Sequence, residues 1–295
     1  MAEFWLGCSQ ITWNRQGTPD DILAAIAKVG FAGVPAGYRE GLTPEAVQKQ
    51  LAAHDVRPAP GYLGGKYHDP AEKANLLELA RRHADFSRAL GCEQLFVAGN
   101  CFPERFAVAG HETANRADQL SDDGYKIMAD TLNEVGRICQ AQGVQACFHN
   151  HAGSYIETRD EFDKLLALTD PALVYIGLDT GHLAYGGGDV ADFARAYAPR
   201  IKALHLKDVD PSVLARARRG KLSYHAAQDL GLWAELGEGS VDFPAMFASL
   251  GAADYRGWVI AEIDRTMLPT PEESIARSYR YLSGLKLSEE TGDRR

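Results

Sequence analysis

The sequence predicts an α/β protein folded as a single (β/α)8 TIM barrel, and three observations lead there. Short apolar runs alternate with amphipathic stretches along the whole chain, the pattern of βα units that build a parallel sheet. Eight such runs can be placed, and 295 residues suit a barrel, which ordinarily needs about 250. The segment after the first run, Ser9-Gln10-Ile11-Thr12-Trp13, lacks the glycine-rich turn that a dinucleotide-binding doubly wound sheet requires. No shift in composition marks a boundary. Residues 1–287 read as one barrel domain and 288–295 as a charged, frayed tail.

Taken in order, Phe4 to Ile11 is the first strand. Thr18-Pro19-Asp20-Asp21 opens the first helix: the hydroxyl caps it, proline suits the first helical position, and acidic residues favour the first turn. Ile22, Ile26 and Val29 supply its buried stripe, and Gly30 ends it. Phe31 to Val34 is the second strand, and Thr43 to Ala53 the second helix, with Pro44 behind its capping threonine. Pro58 and Pro60 weaken a third strand over Val56 to Tyr62, because proline cannot donate to the ladder. A helix from about Pro70 to Leu90 precedes the fourth strand, Glu93 to Ala98. The loop from Gly99 to Ser121 is longer than a connection needs, which is the character of a functional lid.

A helix from Asp122 to Gln142, a fifth strand from Val144 to Phe148 and a short helix from Arg159 to Leu166 follow. Leu173 to Leu178 is the sixth strand, Asp189 to Tyr197 a helix, and Ile201 to Leu206 the seventh strand. A second long insertion runs between Asp208 and Asp242. Phe243 to Leu250 is helical, Trp258 to Ile263 is the eighth strand, and Pro271 to Leu285 is the last helix.

The net charge of −9, with no basic stretch denser than Arg216-Ala217-Arg218-Arg219, argues against a nucleic-acid partner, which needs a basic face. Five cysteines without C-x-x-C spacing read as packing thiols. Met1-Ala2-Glu3-Phe4-Trp5 has no signal-peptide pattern, and no run nears the roughly 20 apolar residues of a membrane span. The expectation is a cytoplasmic protein without a membrane partner. A homo-oligomer is compatible with the sequence.

Four apolar runs end on groups that can bind a metal. Ala146-Cys147-Phe148 ends on His149-Asn150-His151, and Leu173 to Leu178 on Asp179-Thr180-Gly181-His182. Ile201 to Leu204 ends on His205, and Trp258 to Ala261 on Glu262. In a barrel, strand C-termini gather at the catalytic face, so these ends are expected to form one site. His149, Asp179, His205 and Glu262 are the expected ligands. Mixed nitrogen and oxygen donors suit Mn²⁺, Fe²⁺, Co²⁺ or Zn²⁺ rather than Mg²⁺ or Ca²⁺. A six-coordinate ion would keep room for adjacent oxygens of a polyol or keto-sugar substrate. His54, His68, His83, His111 and His225 have no such placement and read as surface or loop residues. Lys207 and Asp208 form either a local ion pair or a functional pair beside His205.

These residues resemble the xylose-isomerase-like TIM-barrel superfamily of sugar isomerases and epimerases, and within it the inosose dehydratase family. The likeness is carried by His205-Leu206-Lys207-Asp208-Val209 with the arginine-containing stretch to Arg218, and by Asp179-Thr180-Gly181-His182-Leu183. Gly237-Glu238-Gly239 with Asp242-Phe243, Tyr255-Arg256-Gly257-Trp258 leading to Glu262, and Gln10-Ile11-Thr12-Trp13 extend it. The resemblance implies a divalent metal, Mn²⁺ foremost, and dehydration of 2-keto-myo-inositol to a cyclic dione. Two departures stand out. Gly33-Val34 is followed by Pro35-Ala36 where an acidic residue is usual, and Asn150 interrupts what is otherwise a run of histidines.

Dehydration beside a ketone needs a polarised carbonyl, a base for the α-proton and an acid for the departing hydroxyl, with an enediolate between them. His151, Lys207 and Glu262 are the expected catalytic residues, and Trp13, His182 and Asp208 the expected substrate contacts. A ketose 3-epimerase is the nearest alternative, but its two-glutamate design has a carboxylate where this chain has His149. A 3-keto-glycoside lyase would use the same enolising site. An endonuclease of this fold would need a basic face, and a non-catalytic sugar-binding barrel would not need four ligands.

Overall fold

The apolar runs pair side by side, all parallel, in one nine-stranded sheet. A computed structural model describes residues 2–14, 16–111 and 118–285. The first half comprises β1 (Glu3–Cys8), α1 (Pro19–Val29), β2 (Gly33–Pro35), α2 (Pro44–Ala52), β3 (Arg57–Ala59), β4 (Tyr62–Gly65), α3 (Lys73–Ala89) and β5 (Gln94–Gly99). Then come α4 (Pro103–Val108), α5 (Asp122–Ala141), β6 (Gln145–His149), α6 (Arg159–Leu168), β7 (Val174–Asp179), α7 (Thr180–Tyr185), α8 (Val190–Tyr197) and β8 (Ile201–Leu206). The insertion holds β9 (Asp208–Val209), α9 (Pro211–Gly220), α10 (Tyr224–Asp229) and β10 (Trp233–Ala234). The chain finishes with α11 (Phe243–Ala252), β11 (Arg256–Ala261) and α12 (Pro271–Gly284).

The strand order is β3-β2-β1-β11-β8-β7-β6-β5-β4, so the two ends of the sheet are consecutive pieces of chain separated only by Pro60 and Gly61. They share one strand position, and the chain itself closes the ring. Gly61 O accepts from Phe96 N at 2.9 Å on one side, and Ala59 O accepts from Ala36 N at 3.0 Å on the other. Eight strand positions result, the expected TIM barrel. The third strand, expected as one run over Val56 to Tyr62, is instead split in two and reaches Gly65. Proline without an N–H breaks the ladder there.

Side chains alternate across each strand with period two. Leu95, Val97, Ala146, Phe148, Leu204 and Val259 face the helices in the large core, whereas Phe96, Cys147, Ala203 and Ile260 form a separate buried cluster inside the ring. Local signals start the helices as expected: Thr18 and Asp21 make a reciprocal capping box, and Thr43, Ser121, Thr158, Asp189 and Thr270 each accept from a backbone N–H of the first turn.

The first strand stops at Cys8 rather than Ile11, because the Ser9 side chain caps a 3₁₀ turn over Gln10–Trp13. The long segment after β5 carries α4, and the insertion after β8 is built of two helices and a two-stranded antiparallel ribbon. His83, expected at the surface, is buried in α3 against Tyr38. The expected tail at 288–295 lies outside the described residues. Among the described residues no helix is long and apolar enough to cross a membrane.

Candidate active site

Period two carries the inner face of four strands to the rim. Inside the ring, Cys147, Gly177, Ala203 and Ile260 are followed two residues later by His149, Asp179, His205 and Glu262. Asp179 and His205 are direct partners across β7 and β8, and Glu262 N extends the ladder by donating to Leu206 O at 2.9 Å. Donor atoms of His149, Asp179 and His205 lie within 4.8 Å of one another, and all three residues are buried. Glu262 Oε1 stands 3.3 Å from His205 Nδ1 and 2.5 Å from Lys207 Nζ.

The cluster is held from beneath. Asn150, which interrupts the histidine run, donates through Nδ2 to Asp179 O at 3.1 Å and accepts from Asp179 N at 3.0 Å, so it pins the Asp179 backbone in the manner of a ladder residue. Thr180 Oγ1 does the same for Lys207, accepting from its N–H at 2.9 Å and donating to its carbonyl at 2.7 Å. Asp179 Oδ1 also caps α7 by accepting from His182 N at 2.9 Å. Gly181 is required at this close approach, since a Cβ there would strike the Lys207 side chain.

Burial and mutual repulsion, chiefly from His205, hold the His149 imidazole well below its usual pKa, and it is therefore the neutral form that can ligate a metal. Burial, with repulsion from His151, does the same to His182. For His151 burial also favours the neutral ring, but the hydrogen bond and charge interaction with Cys101, together with the nearby Asp264 carboxylate, outweigh it and raise the pKa to about 9. Burial pushes Asp179 up. Burial would raise Glu262 too, yet His205 and Lys207 outweigh it and hold that carboxylate well below its usual range.

His149 Nδ1, His205 Nε2 and both ring nitrogens of His182 are buried without a hydrogen-bond partner. Unmade hydrogen bonds of this kind cost about 1–3 kcal/mol each, so a protein rarely accumulates them without a ligand in view. An imidazole pair beside carboxylates fits a divalent transition metal.

Of the expected substrate contacts, His182 joins the cluster, its ring 3.7 Å from that of His151 and 5.2 Å from Trp233. Trp13 is buried on the turn after β1 and donates Nε1–H to Glu272 Oε1 at 3.1 Å, which ties it to α12. Asp208 is corrected. Its carboxylate accepts from the N–H groups of Val209, Gly237, Gly239 and Val241 at 2.9–3.0 Å, which commits both oxygens to anchoring a loop rather than to substrate. Gly239 permits that approach, because a Cβ would strike the carboxylate. Nor is there a Lys207–Asp208 pair: Lys207 Nζ instead meets Asp179 Oδ2 at 3.2 Å, Glu262 Oε1, and Asp264 Oδ1 at 3.0 Å.

Asp264, Tyr224, Trp233 and Cys101 were not expected in the site. Cys101, taken as packing, is partly exposed with Sγ 3.3 Å from His151 Nδ1. Tyr224 and Trp233 come from the insertion, which walls the rim: their rings lie 6.1 and 5.2 Å from His182. The post-β5 segment docks on that wall through Phe106 stacked on Tyr224 at 5.2 Å and His111 Nε2 bonded to Leu222 O at 2.9 Å.

A closed parallel barrel with an imidazole–carboxylate cluster at its C-terminal rim defines the class of TIM-barrel enzymes that work at that face. Residues 23–285 match the family model described as xylose isomerase-like TIM barrel. The inosose dehydratase of Geobacillus kaustophilus is 30% identical over 99% of this chain and 94% of its own. Two solved structures share the fold: the IOLI protein with a bound zinc atom (TM-score 0.70, 15% identity, 95% of this chain and 97% of that one), and a probable 3-DHS dehydratase, AsbF, from Bacillus anthracis (TM-score 0.68, 14% identity, 96% and 99%). The chain belongs to the inosose dehydratase family of xylose isomerase-like TIM barrels.

Proposed function

We propose that this protein is a divalent-metal-dependent hydro-lyase that removes water from a keto-polyol of the 2-keto-myo-inositol type through an enediolate. The observation that carries the reading is the convergence of His149, Asp179 and His205 at the rim, with Glu262 and a buried Lys207 beside them, in a chain related to inosose dehydratases. His149, Asp179, His205 and Glu262 would hold the metal, Mn²⁺ foremost, with Co²⁺, Fe²⁺ or Zn²⁺ as its substitutes. When bound, the ion supplies Lewis-acid polarisation of the ketone.

The chain's own residues supply the proton chemistry. His151 and the Lys207 ammonium stand on the same rim and can exchange protons with the α-carbon and with the departing hydroxyl. Glu262, kept ionised by His205 and Lys207, can accept a proton. His182 and the aromatic wall of Tyr224 and Trp233 bind the ring and exclude water. A 3-epimerase would need a second carboxylate where His149 stands. The substrate is a small keto-polyol rather than nucleic acid, in keeping with the net charge of −9. Five free cysteines agree with a cytoplasmic setting.

The test is an assay of Mn²⁺-loaded protein with 2-keto-myo-inositol, following dione absorbance and solvent proton exchange together. Dione formation that falls about a thousandfold in Asp179→Ala is expected, the loss of several kcal/mol of metal assistance. Exchange without dione would instead mark an epimerase or a different keto-sugar.

A further inference from the structure

Lys207 has more carboxylate partners than its immediate role explains. Its ammonium carries three donor hydrogens and meets three carboxylates, those of Asp179, Glu262 and Asp264. Two of the three belong to the ligand set at the rim. A dication seated on Asp179 and Glu262 repels an ammonium that shares those same oxygens, and a flexible four-carbon stem lets a lysine move away from such a site.

Asp264 differs from the other two. It lies beyond the end of β11, and its second oxygen is already claimed: Oδ2 accepts from Tyr224 OH at 2.9 Å and stands 3.5 Å from Gln228 Nε2. Both donors come from α10, in the insertion. The carboxylate is thereby fixed with Oδ1 turned toward Lys207 Nζ. The Trp233 ring centroid lies 5.6 Å from the same ammonium, a second element of the insertion that favours a cation there.

We propose that Asp264, oriented by Tyr224 and Gln228, is a positioning residue that retains the Lys207 ammonium when a divalent cation takes Asp179 and Glu262, so that lysine and metal share the site instead of competing for it. This rests on the metal reading above. It gives the insertion a role in the chemistry: α10 and β10 build the seat that keeps the lysine within reach of substrate.

The experiment is a double-mutant cycle read by calorimetric titration of Mn²⁺ into wild type, Asp264→Asn, Lys207→Met and the double variant, with circular dichroism as the check on folding. Asp264→Asn is expected to weaken Mn²⁺ binding about tenfold, because the displaced ammonium then stays on the ligands. Lys207→Met should recover most of that loss in the Asp264→Asn background, and gain much less in wild type. A merely structural role for Asp264 produces no such rescue. Tyr224→Phe, a milder change, should weaken binding in the same direction by about threefold and be rescued likewise. Equal effects of Lys207→Met in all backgrounds would overturn the proposal while leaving the metal reading intact. Absence of Mn²⁺ binding by wild type would sink the metal reading, and this proposal with it.

Discussion

Arg105 and Lys207 are both fully buried cations, each surrounded by acidic side chains, yet the two neighbourhoods are built to opposite ends. Arg105 donates to Ser154 O at 2.8 Å, to both oxygens of Glu161 at 2.9 and 3.1 Å, and to Asp118 Oδ2 at 3.2 Å. Its acidic partners are themselves occupied. Glu161 Oε2 accepts from Glu157 N and Thr158 N, and the Glu157 oxygens accept from Gly110 N and Gly153 N. That network is closed and ties the post-β5 segment to the barrel. Around Lys207 the neighbouring imidazoles keep buried nitrogens without partners. Buried charge alone therefore does not mark a working site; unmatched hydrogen-bonding capacity around it does.

The largest effect that sharpens this contrast is expected at Arg105. Arg105→Met strands Glu161 and its acidic neighbours in the interior and should cost about 4 kcal/mol of stability, seen in denaturant unfolding. Mn²⁺ affinity of the folded fraction should not change. A large fall in metal affinity without loss of stability would break the distinction between the two clusters.

A smaller effect tests whether one orphaned nitrogen is enough. His83 Nδ1 is also buried without a partner, but the ring packs against Tyr38 in the helical layer, and among the described residues it joins no cluster of metal-binding groups. Burial depresses its pKa to about 4. Because the folded value lies below the unfolded one, the unfolded chain binds more protons through this window. His83 therefore leaves stability intact above about pH 6.5 and removes it as pH falls toward 4, by about 3 kcal/mol in all. Unfolding free energies measured from pH 7 to 4 should show that loss in wild type and not in His83→Gln. Equal pH profiles would show that His83 is solvated.

The barrel and the residues at its rim were legible in the sequence, and the reason is local. Apolar runs that end on His149, Asp179, His205 and Glu262 report the barrel and its rim together, because period two fixes which residues point inward. Helix starts such as Thr18-Pro19-Asp20-Asp21 were readable for the same cause. The role of Asn150 was not legible, since its bond to the Asp179 backbone joins neighbouring strands 29 positions apart. Asp208 was misread because its partners lie in the turn from Gly237 to Val241, and Asp264 was missed because its partner Tyr224 sits 40 positions away. The insertion hid its helices for a related reason: what it covers is decided by contacts remote in the chain.

The central claim is that two imidazoles at the rim ligate a divalent metal, and pulsed electron paramagnetic resonance of the Mn²⁺-bound protein tests it most directly. Wild type should show coupling from two imidazole nitrogens, reduced to one in His149→Ala and to one in His205→Ala. Bound Mn²⁺ with no imidazole coupling would contradict the account.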